Sequence, residues 1–210
     1  MSVRRITKYG EDVLRAKTRP VEKFDASLKR LAEDMLDSMY QANGLGLAAP
    51  QVGELLSVFV IDMRRRLNTE APCNYTIDGV ALPMDIAMPF VAVNPKLELI
   101  GQYIETAEEG CLSFPGIYAP VERVDTVRLT YFDTDGARHV LVCDDLFARC
   151  VQHEFDHLNG VCFVNRLSNK DLFKIENKIK KLRRQTRDYL KEMKKEASAN
   201  AAAGDRKDSK

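Results

Sequence analysis

The sequence contains no tryptophan, and only three of its 210 residues are histidine. No stretch approaches the roughly 20 consecutive apolar residues that a membrane-spanning helix needs, so we expect a protein that does not cross a membrane. The N-terminus mixes acidic with basic residues and lacks the apolar segment of a secretory signal, which argues against export and against an organelle transit peptide. We therefore expect a cytoplasmic protein.

Cysteine is scarce as well, and its spacing excludes two further classes of protein. The five cysteines form no CxxC pair and are widely separated, which argues against a disulfide framework and against a zinc ribbon. They are Cys73, Cys111, Cys143, Cys150 and Cys162. With 45% hydrophobic and 30% charged residues, the composition is that of a globular chain, and its length suits one domain.

The first two thirds of the chain are predicted to form one helix followed by strands. Asp25 or Ser27 can cap a helix whose apolar residues recur at helical spacing, and Gly44 is a natural stop. Residues 64–89 contain prolines but little periodicity, so we predict a long surface loop there. The predicted strands are 57–62, 90–94, 97–107 with a bend at Gly101, 124–132 and 139–143, the last two joined as a hairpin.

A second helix follows the hairpin. Asp144 or Asp145 can cap it, and it runs to about Leu158, where Asn159 and Gly160 end it. We predict a short strand after this helix, over residues 161–164.

The last part of the chain combines a third helix with a change of charge. Ser168 opens this helix, whose apolar residues recur at three- and four-residue spacing from Leu172 to Met193. Lys and Arg are in excess after residue 168, and Asp and Glu before it. We therefore divide the chain into a body over residues 1–167, a basic C-terminal helix over 168–196 and a disordered tail over 197–210.

The strongest chemical signal is an HExxH motif inside the second helix, within QHEFDH at residues 152–157. Side chains four residues apart project from the same face of a helix, so His153 and His157 can bind one metal ion while Glu154 lies beside its open position. The alternative is two ordinary histidines and a chance match. Because the motif falls within a well-capped helix, we favour the metal site.

The two histidines leave such a site one protein ligand short, since catalytic metals of this kind usually have three protein ligands and one open position. Glu176 has the spacing of a thermolysin-like zinc protease, but Lys180 four residues later gives it an ordinary ion-pair role. Cys111 follows Gly110 between a strand and a Pro/Gly-rich loop, and glycine permits close approach of the backbone to a metal or substrate. We favour Cys111, which makes metal-assisted hydrolysis with Glu154 as general acid and base the expected chemistry.

A third segment, GLGLAAPQ at residues 44–51, is rich in small residues. It lacks the third glycine of a dinucleotide fingerprint and the lysine of a phosphate loop, so it does not indicate nucleotide binding. The small residues predict a rigid turn against which another chain can lie, and Gln51 adds an amide donor at its end. A turn that only ends the first helix is the alternative.

Together these segments resemble the three motifs of the peptide deformylase family: a GxGxAAPQ loop, an EGCLS strand end and a QHExDH helix, in this order. The resemblance covers residues 3 to about 167. It implies an α+β fold with mostly antiparallel sheets around a central, metal-bearing helix, followed by a long C-terminal helix. It also implies removal of the formyl group from the N-terminal formylmethionine of nascent polypeptides, with release of formate.

The resemblance also implies a role for each catalytic candidate. The metal ligands would be Cys111, His153 and His157. The expected ion is Fe2+, with Zn2+ or Ni2+ as possible replacements. Glu154 would be the general acid and base, and the Gln51 side chain and the backbone N–H of Leu112 would help to stabilise the oxyanion.

The same resemblance implies a substrate site beside the metal. Gly46 would bind the extended backbone of the substrate. Leu45, Leu146 and Cys150 would border the methionine pocket, and Glu109 would support the metal site from outside the ligand shell. Two residues depart from the family pattern: Arg149 stands near the methionine pocket, where an apolar residue is common, and Tyr118 stands where an arginine is common.

Alternatives remain for the basic helix and for the whole chain. In bacterial deformylases a C-terminal helix docks on the ribosome, which implies a ribosome partner here; a solvated basic face is the other interpretation. The apolar stripe of this helix can pack on the body or on a second copy. For the chain as a whole, the competing functions are a zinc endopeptidase with Glu176 as third ligand and a non-catalytic ribosome- or RNA-binding protein.

Overall fold

Two antiparallel β-sheets and four α-helices make up the chain in a computed structural model, which describes residues 2–64 and 74–204. The helices are α1 (Ala26–Gln41), α2 (Met84–Ala87), α3 (Asp145–Leu158) and α4 (Asn169–Gly204). The strands are β1 (Gly46–Ala48), β2 (Val58–Ile61), β3 (Tyr75–Ile77), β4 (Phe90–Leu99), β5 (Ile104–Cys111), β6 (Phe114–Val124), β7 (Thr126–Phe132) and β8 (Arg138–Asp144). The predicted α+β class with antiparallel sheets and a long C-terminal helix is confirmed.

The larger sheet has six strands in the order β1-β2-β4-β7-β8-β3 and lies between α1 and α3. Strand β2 shows why, because its side chains alternate between the two faces. Val58 and Val60 pack with α1, whereas Phe59 and Ile61 pack with α3. Full burial of an aromatic ring such as that of Phe59 contributes about 1.5–3 kcal/mol relative to exposure.

The second sheet is a hairpin of β5 and β6 that carries Cys111 at the end of β5. Its β6 side chains form a separate apolar cluster with α4, in which Ile175 and Leu182 are buried. The apolar stripe of the C-terminal helix therefore packs on the body of the same chain. In the part of the chain that the structure describes, no helix is both long and apolar enough to cross a membrane.

The observed bounds of α1 and α3 lie close to the predicted ones. The Asp25 carboxylate caps α1 by accepting hydrogen bonds from the N–H groups of Ser27 and Leu28. Helix α3 ends at Leu158, as expected, and is followed by Gly160 at a φ of 70°. The predicted side-chain cap of α3 is wrong: Asp144 precedes the helix, but its carboxylate accepts hydrogen bonds from Asn74 instead of from the first turn of α3. The third predicted helix begins at Asn169 and continues to Gly204, beyond the expected end at residue 196, and the rest of the expected tail lies outside the described residues.

Several predictions between the helices are wrong. The predicted strand over 97–107 is in fact divided between two sheets, because β4 ends at Leu99 and β5 begins at Ile104. Residues 161–164 form no strand; a 3-10 turn, Phe163–Arg166, lies there, because the apolar run is buried against α4 and β6. The predicted loop over 64–89 contains β3 and α2, and residues 65–73 lie outside the described residues. Strand β6 occupies the segment predicted as a Pro/Gly-rich loop.

Candidate metal centre

Three possible metal ligands from distant parts of the chain meet at one point. His153 and His157 lie one turn apart on α3, and Cys111 is the last residue of β5. One ligand atom from each of the three lies within 4.8 Å of the others, and Cys111 Sγ is 3.3 Å from His157 Nε2. Among the described residues, no other group of three or more His, Cys, Asp or Glu residues meets the same criterion.

The ionisation of Cys111 suits a metal ligand. Burial alone would raise the pKa of this thiol, but the neighbouring His157 and His153 rings lower it to about 5. The thiolate is the form that binds metals. One thiolate and two imidazoles form a donor set that fits zinc, iron, cobalt or nickel, so the residues present fit a divalent ion of this group.

A buried carboxylate fixes the orientation of the His153 ring. His153 Nδ1 lies 2.9 Å from Glu109 Oε2, which leaves Nε2 to face the cluster. The Arg123 guanidinium donates to both oxygens of Glu109, and Arg149 Nη1 donates to Oε1. Burial alone would raise the pKa of Glu109, but its bonds to His153 and Arg123 outweigh burial and hold that pKa well below its usual range. The supporting role that was expected of Glu109 thus has a physical basis.

This ionic network continues away from the cluster. Arg123 Nη1 donates to Asp156 Oδ2 at 2.6 Å, and Asp156 also accepts from Arg166. Arg123 is only 5% exposed and joins strand β6 to helix α3. The motifs in the sequence did not indicate Arg123, because nothing in its neighbours marks an arginine on a strand as buried.

Glu154 is buried beside the ligand cluster, and its environment favours proton transfer. Burial raises the pKa of its carboxyl to about 7, so both protonation states are accessible near neutral pH. Its Oε2 has no hydrogen-bond partner among the described residues. Gly46 packs directly on this side chain: a Cβ at that position would lie 2.8 Å from Glu154 Cδ and would collide with Oε1. The second glycine of GLGLAAPQ, Gly46, is therefore required because the Glu154 side chain leaves no room for a Cβ.

The carboxamide of Gln51 is held with its N–H groups toward Cys111. The Ala48 N–H donates to Gln51 Oε1 at 2.8 Å, which fixes the orientation of the amide. Gln51 Nε2 then lies 3.4 Å from Cys111 Sγ and 3.2 Å from Ser113 Oγ. An N–H donor is thus fixed beside the cluster, as expected from the sequence.

A cavity of about 500 Å³ opens onto this cluster. Most of the residues that the sequence singled out line it: Leu45, Gly46, Gln51, Cys111, Leu112, Leu146, Cys150, His153 and Glu154. His157 lies behind them, with no exposed surface. The edge strand β1 borders the cavity through Gly46, and β5 borders it through residues 108–111. Lys8 also lines the cavity, and no motif in the sequence indicated it.

The remaining candidates have defined positions. Glu176 lies on α4 in an ion pair with Lys180 at 2.7 Å and is not part of the ligand cluster. Arg149 lines the cavity, but its guanidinium is bound to Glu109 and to the carbonyls of residues 105 and 121. Tyr118 is 58% exposed, and its ring covers Gly110, where a Cβ would lie 2.6 Å from Tyr118 Cδ1.

Comparison with known proteins gives consistent results. Residues 3–173 match the family model described as polypeptide deformylase. A peptide deformylase from Opitutus terrae is 41% identical over 184 residues, which are 87% of this chain and 94% of that protein. Among solved structures, peptide deformylase from Plasmodium falciparum aligns with a TM-score of 0.75 at 32% identity, covering 87% of this chain and 97% of that one. Peptide deformylase from Ehrlichia chaffeensis aligns with a TM-score of 0.73 at 33% identity, covering 88% and 97%.

Proposed function

Since the chain belongs to the polypeptide deformylase family, we propose that it removes the formyl group from the N-terminal formylmethionine of nascent polypeptides and releases formate. The observation that carries this proposal is the convergence of Cys111, His153 and His157 beside the buried Glu154, in one cavity. A zinc endopeptidase with Glu176 as ligand has no comparable support, because that carboxylate is paired with Lys180 on α4.

The metal would be held by the three ligands named above, and we propose Fe2+ as the native ion, with Zn2+ or Ni2+ as replacements. When bound, such an ion supplies Lewis-acid activation of a water molecule and of the formyl carbonyl. His153 would keep its orientation through Glu109, since the same carboxylate is fixed by Arg123 and Arg149.

The residues of the chain would carry the proton and the developing charge. Glu154 would accept a proton from the attacking water while the water oxygen bonds to the formyl carbon. The carbonyl oxygen then gains negative charge, which the N–H groups of Gln51 and the backbone N–H of Leu112 would stabilise. Glu154 would return the proton to the amine nitrogen as the C–N bond breaks, which yields formate and a free N-terminus.

The substrate would lie extended along the edge of β1. Gly46 belongs to this edge strand, and a peptide can add to a sheet edge through backbone hydrogen bonds. The methionine side chain would fit against Leu45, Leu146 and Cys150, which line the same cavity. Arg149 and Tyr118 border this cavity, and we propose that they influence preference for the residues after methionine.

Formate release tests this function directly. The protein is prepared anaerobically with iron, and formate is measured with a formyl-Met peptide, with cleavage of an unmodified protein measured in parallel. We expect formate and no proteolysis. Cys111→Ser should lose both metal and activity, whereas Glu154→Gln should keep the metal and lose the activity. Glu176→Gln is the matched control and should behave like the unaltered protein; absence of formate from the metal-loaded protein would refute the assignment.

We also propose that α4 binds the ribosome. Because Ile175 and Leu182 are buried against the body, the basic side chains of Lys178, Lys181 and Arg184 remain exposed. Exposed Lys and Arg suit contact with RNA phosphates, and such binding weakens as salt increases. Charge reversal at these three positions should reduce co-sedimentation with ribosomes while formyl-Met peptide hydrolysis is retained. Co-sedimentation unchanged by the reversal would contradict the proposal.

A further inference from the structure

Residues 7–9 near the N-terminus connect two segments that border the candidate metal centre. The Thr7 N–H donates to the Gln51 carbonyl at 2.8 Å, and Thr7 Oγ1 lies 3.1 Å from the Pro50 carbonyl. Two residues later, the Tyr9 N–H donates to the Ser113 carbonyl at 3.0 Å. Residues 7–9 therefore bridge the GLGLAAPQ loop and the EGCLS segment.

Lys8 lies at the centre of this bridge, and its ammonium group contacts the backbone of Leu112. Lys8 Nζ donates to the Leu112 carbonyl at 2.8 Å, and Lys8 lines the same cavity as Cys111. Its backbone N–H donates to Glu11 at 2.7 Å, and the Glu11 carboxylate is also bound by Arg5. The half-buried side chain of Lys8 thus extends from a fixed backbone position.

We propose that Lys8 is a positioning residue for the oxyanion side of the site, an inference that rests on the proposed deformylase function. By donating to the Leu112 carbonyl, Lys8 restrains the peptide unit that adjoins the one carrying the Leu112 N–H, the group assigned above to the oxyanion. It also places one positive charge at the side of the cavity where the formyl oxygen becomes negative and where formate is released. In a partly buried site this charge is less screened than at the surface.

An electrostatic role of Lys8 and a merely structural one lead to different kinetic effects. Loss of a direct oxyanion donor typically lowers kcat by about 10²–10³, so loss of a residue that acts through Leu112 should lower kcat by about tenfold. The KM for a formyl-Met peptide should change by less than about twofold, because the stabilised charge develops only in the transition state. Inhibition by formate should weaken, because formate is an anion and the variant lacks the cation.

The experiment compares two neutral variants, Lys8→Met and Lys8→Gln, with Lys8→Arg in the full-length, nickel-loaded protein. Metal content and thermal unfolding are measured for each, and either neutral variant that folds with bound nickel is sufficient. Lys17→Met is the matched control, since Lys17 lies near Lys8 in the sequence and its side chain is exposed. We expect reduced kcat and weaker formate inhibition in the neutral variants, and both near normal in the arginine variant and the control.

A readout without turnover distinguishes this inference from the proposed function. Sodium formate is titrated into the zinc-loaded form of each protein, because zinc is diamagnetic, while the backbone amide signals of Leu112 and Ser113 are followed by NMR. The unaltered protein should show saturable shifts, and the neutral variants weaker binding. Unchanged kcat and formate affinity in a folded neutral variant would overturn the role of Lys8, as would equal losses in Lys8→Arg. Failure of the proposed function would appear separately, as absence of formate release from the unaltered protein.

Discussion

Replacing Glu109 with glutamine should destabilise the fold and weaken metal binding together. This carboxylate accepts four N–H donors, two from Arg123 and one each from Arg149 and His153, at 2.9–3.0 Å. In Glu109→Gln, one of its two oxygens becomes an NH2 group. Whichever oxygen is lost, two donors lose their acceptor, and the new NH2 group points at them.

The magnitude follows from the burial of the network. Glu109 is 6% exposed and Arg123 is 5% exposed, so solvent cannot replace the lost acceptor. Removing one partner of a buried ion pair typically costs about 3–5 kcal/mol. Because Arg123 keeps its bond to Asp156, we expect a value near the lower end, about 3 kcal/mol. Loss of this support for a ligand should also weaken metal affinity by about 10- to 100-fold.

The assay is urea unfolding of the metal-free protein, together with a competition measurement of zinc affinity. With an m-value of about 1–3 kcal/mol/M, the expected destabilisation moves the unfolding midpoint by about 1 M or more. Burial alone would raise the pKa of Glu109, yet its bonds to His153 and Arg123 lower it overall. Its contribution is therefore present above the ordinary carboxyl pKa and disappears as the pH falls toward the lowered value, so the two proteins should converge in acid.

Glu105→Gln is the matched control, because Glu105 lies on the same strand with an exposed side chain. It should unfold like the unaltered protein. A loss below about 1 kcal/mol in Glu109→Gln would refute the view that this buried carboxylate holds the network, because a surface pair alone is worth about that much.

Three further outcomes are expected. Gly46→Ala should lower kcat/KM by at least tenfold with little loss of bound metal, because its Cβ would displace Glu154; formate release and metal analysis check this. The ion pair with Asp78 raises the pKa of His139. Below the ordinary imidazole pKa, the unaltered protein should therefore be more stable than His139→Gln, and this difference should vanish as the pH rises through the pKa of His139 in the folded protein. Urea unfolding at a series of pH values measures the difference. Activity in air should decay faster with iron than with nickel, because a thiolate on ferrous iron is readily oxidised; equal decay rates would contradict this.

The sequence predicts this fold best where local chemistry decides the structure. The apolar spacing of α1 and α3 and the cap at Asp25 depend on neighbouring residues, and both helices lie close to where they were expected. The chemistry of the site was equally local in part, since the spacing of His153 and His157 requires only that α3 be a helix. The choice of Cys111 over Glu176 rested on the context of each residue, and the ligand cluster contains Cys111.

The errors arise where distant contacts decide the structure. Strand β6 contains Pro115, Gly116 and Pro120, which locally indicate turns. The strand forms because it pairs with β5. Its prolines are tolerated because, among the described strands, β6 has no partner on its other edge, where a missing N–H breaks no hydrogen bond of the sheet. The run at 161–164 is apolar whether it forms a strand or a buried turn, so its composition alone does not distinguish them. The positions of Lys8 and Arg123 beside the site were not predicted, because both residues are held by partners that are remote in sequence.

The borders of the cavity have a consequence for the range of substrates. Strands β1 and β5 both border the cavity, and an extended substrate that pairs with the edge of β1 would do so through its main chain, which all amino acids except proline share. A substrate held in this way would be recognised mainly through its backbone and its first side chain, and the residues that follow would be distinguished only where they reach Arg149 or Tyr118. Such tolerance is what a single catalyst needs if it must serve every polypeptide that a cell begins to make.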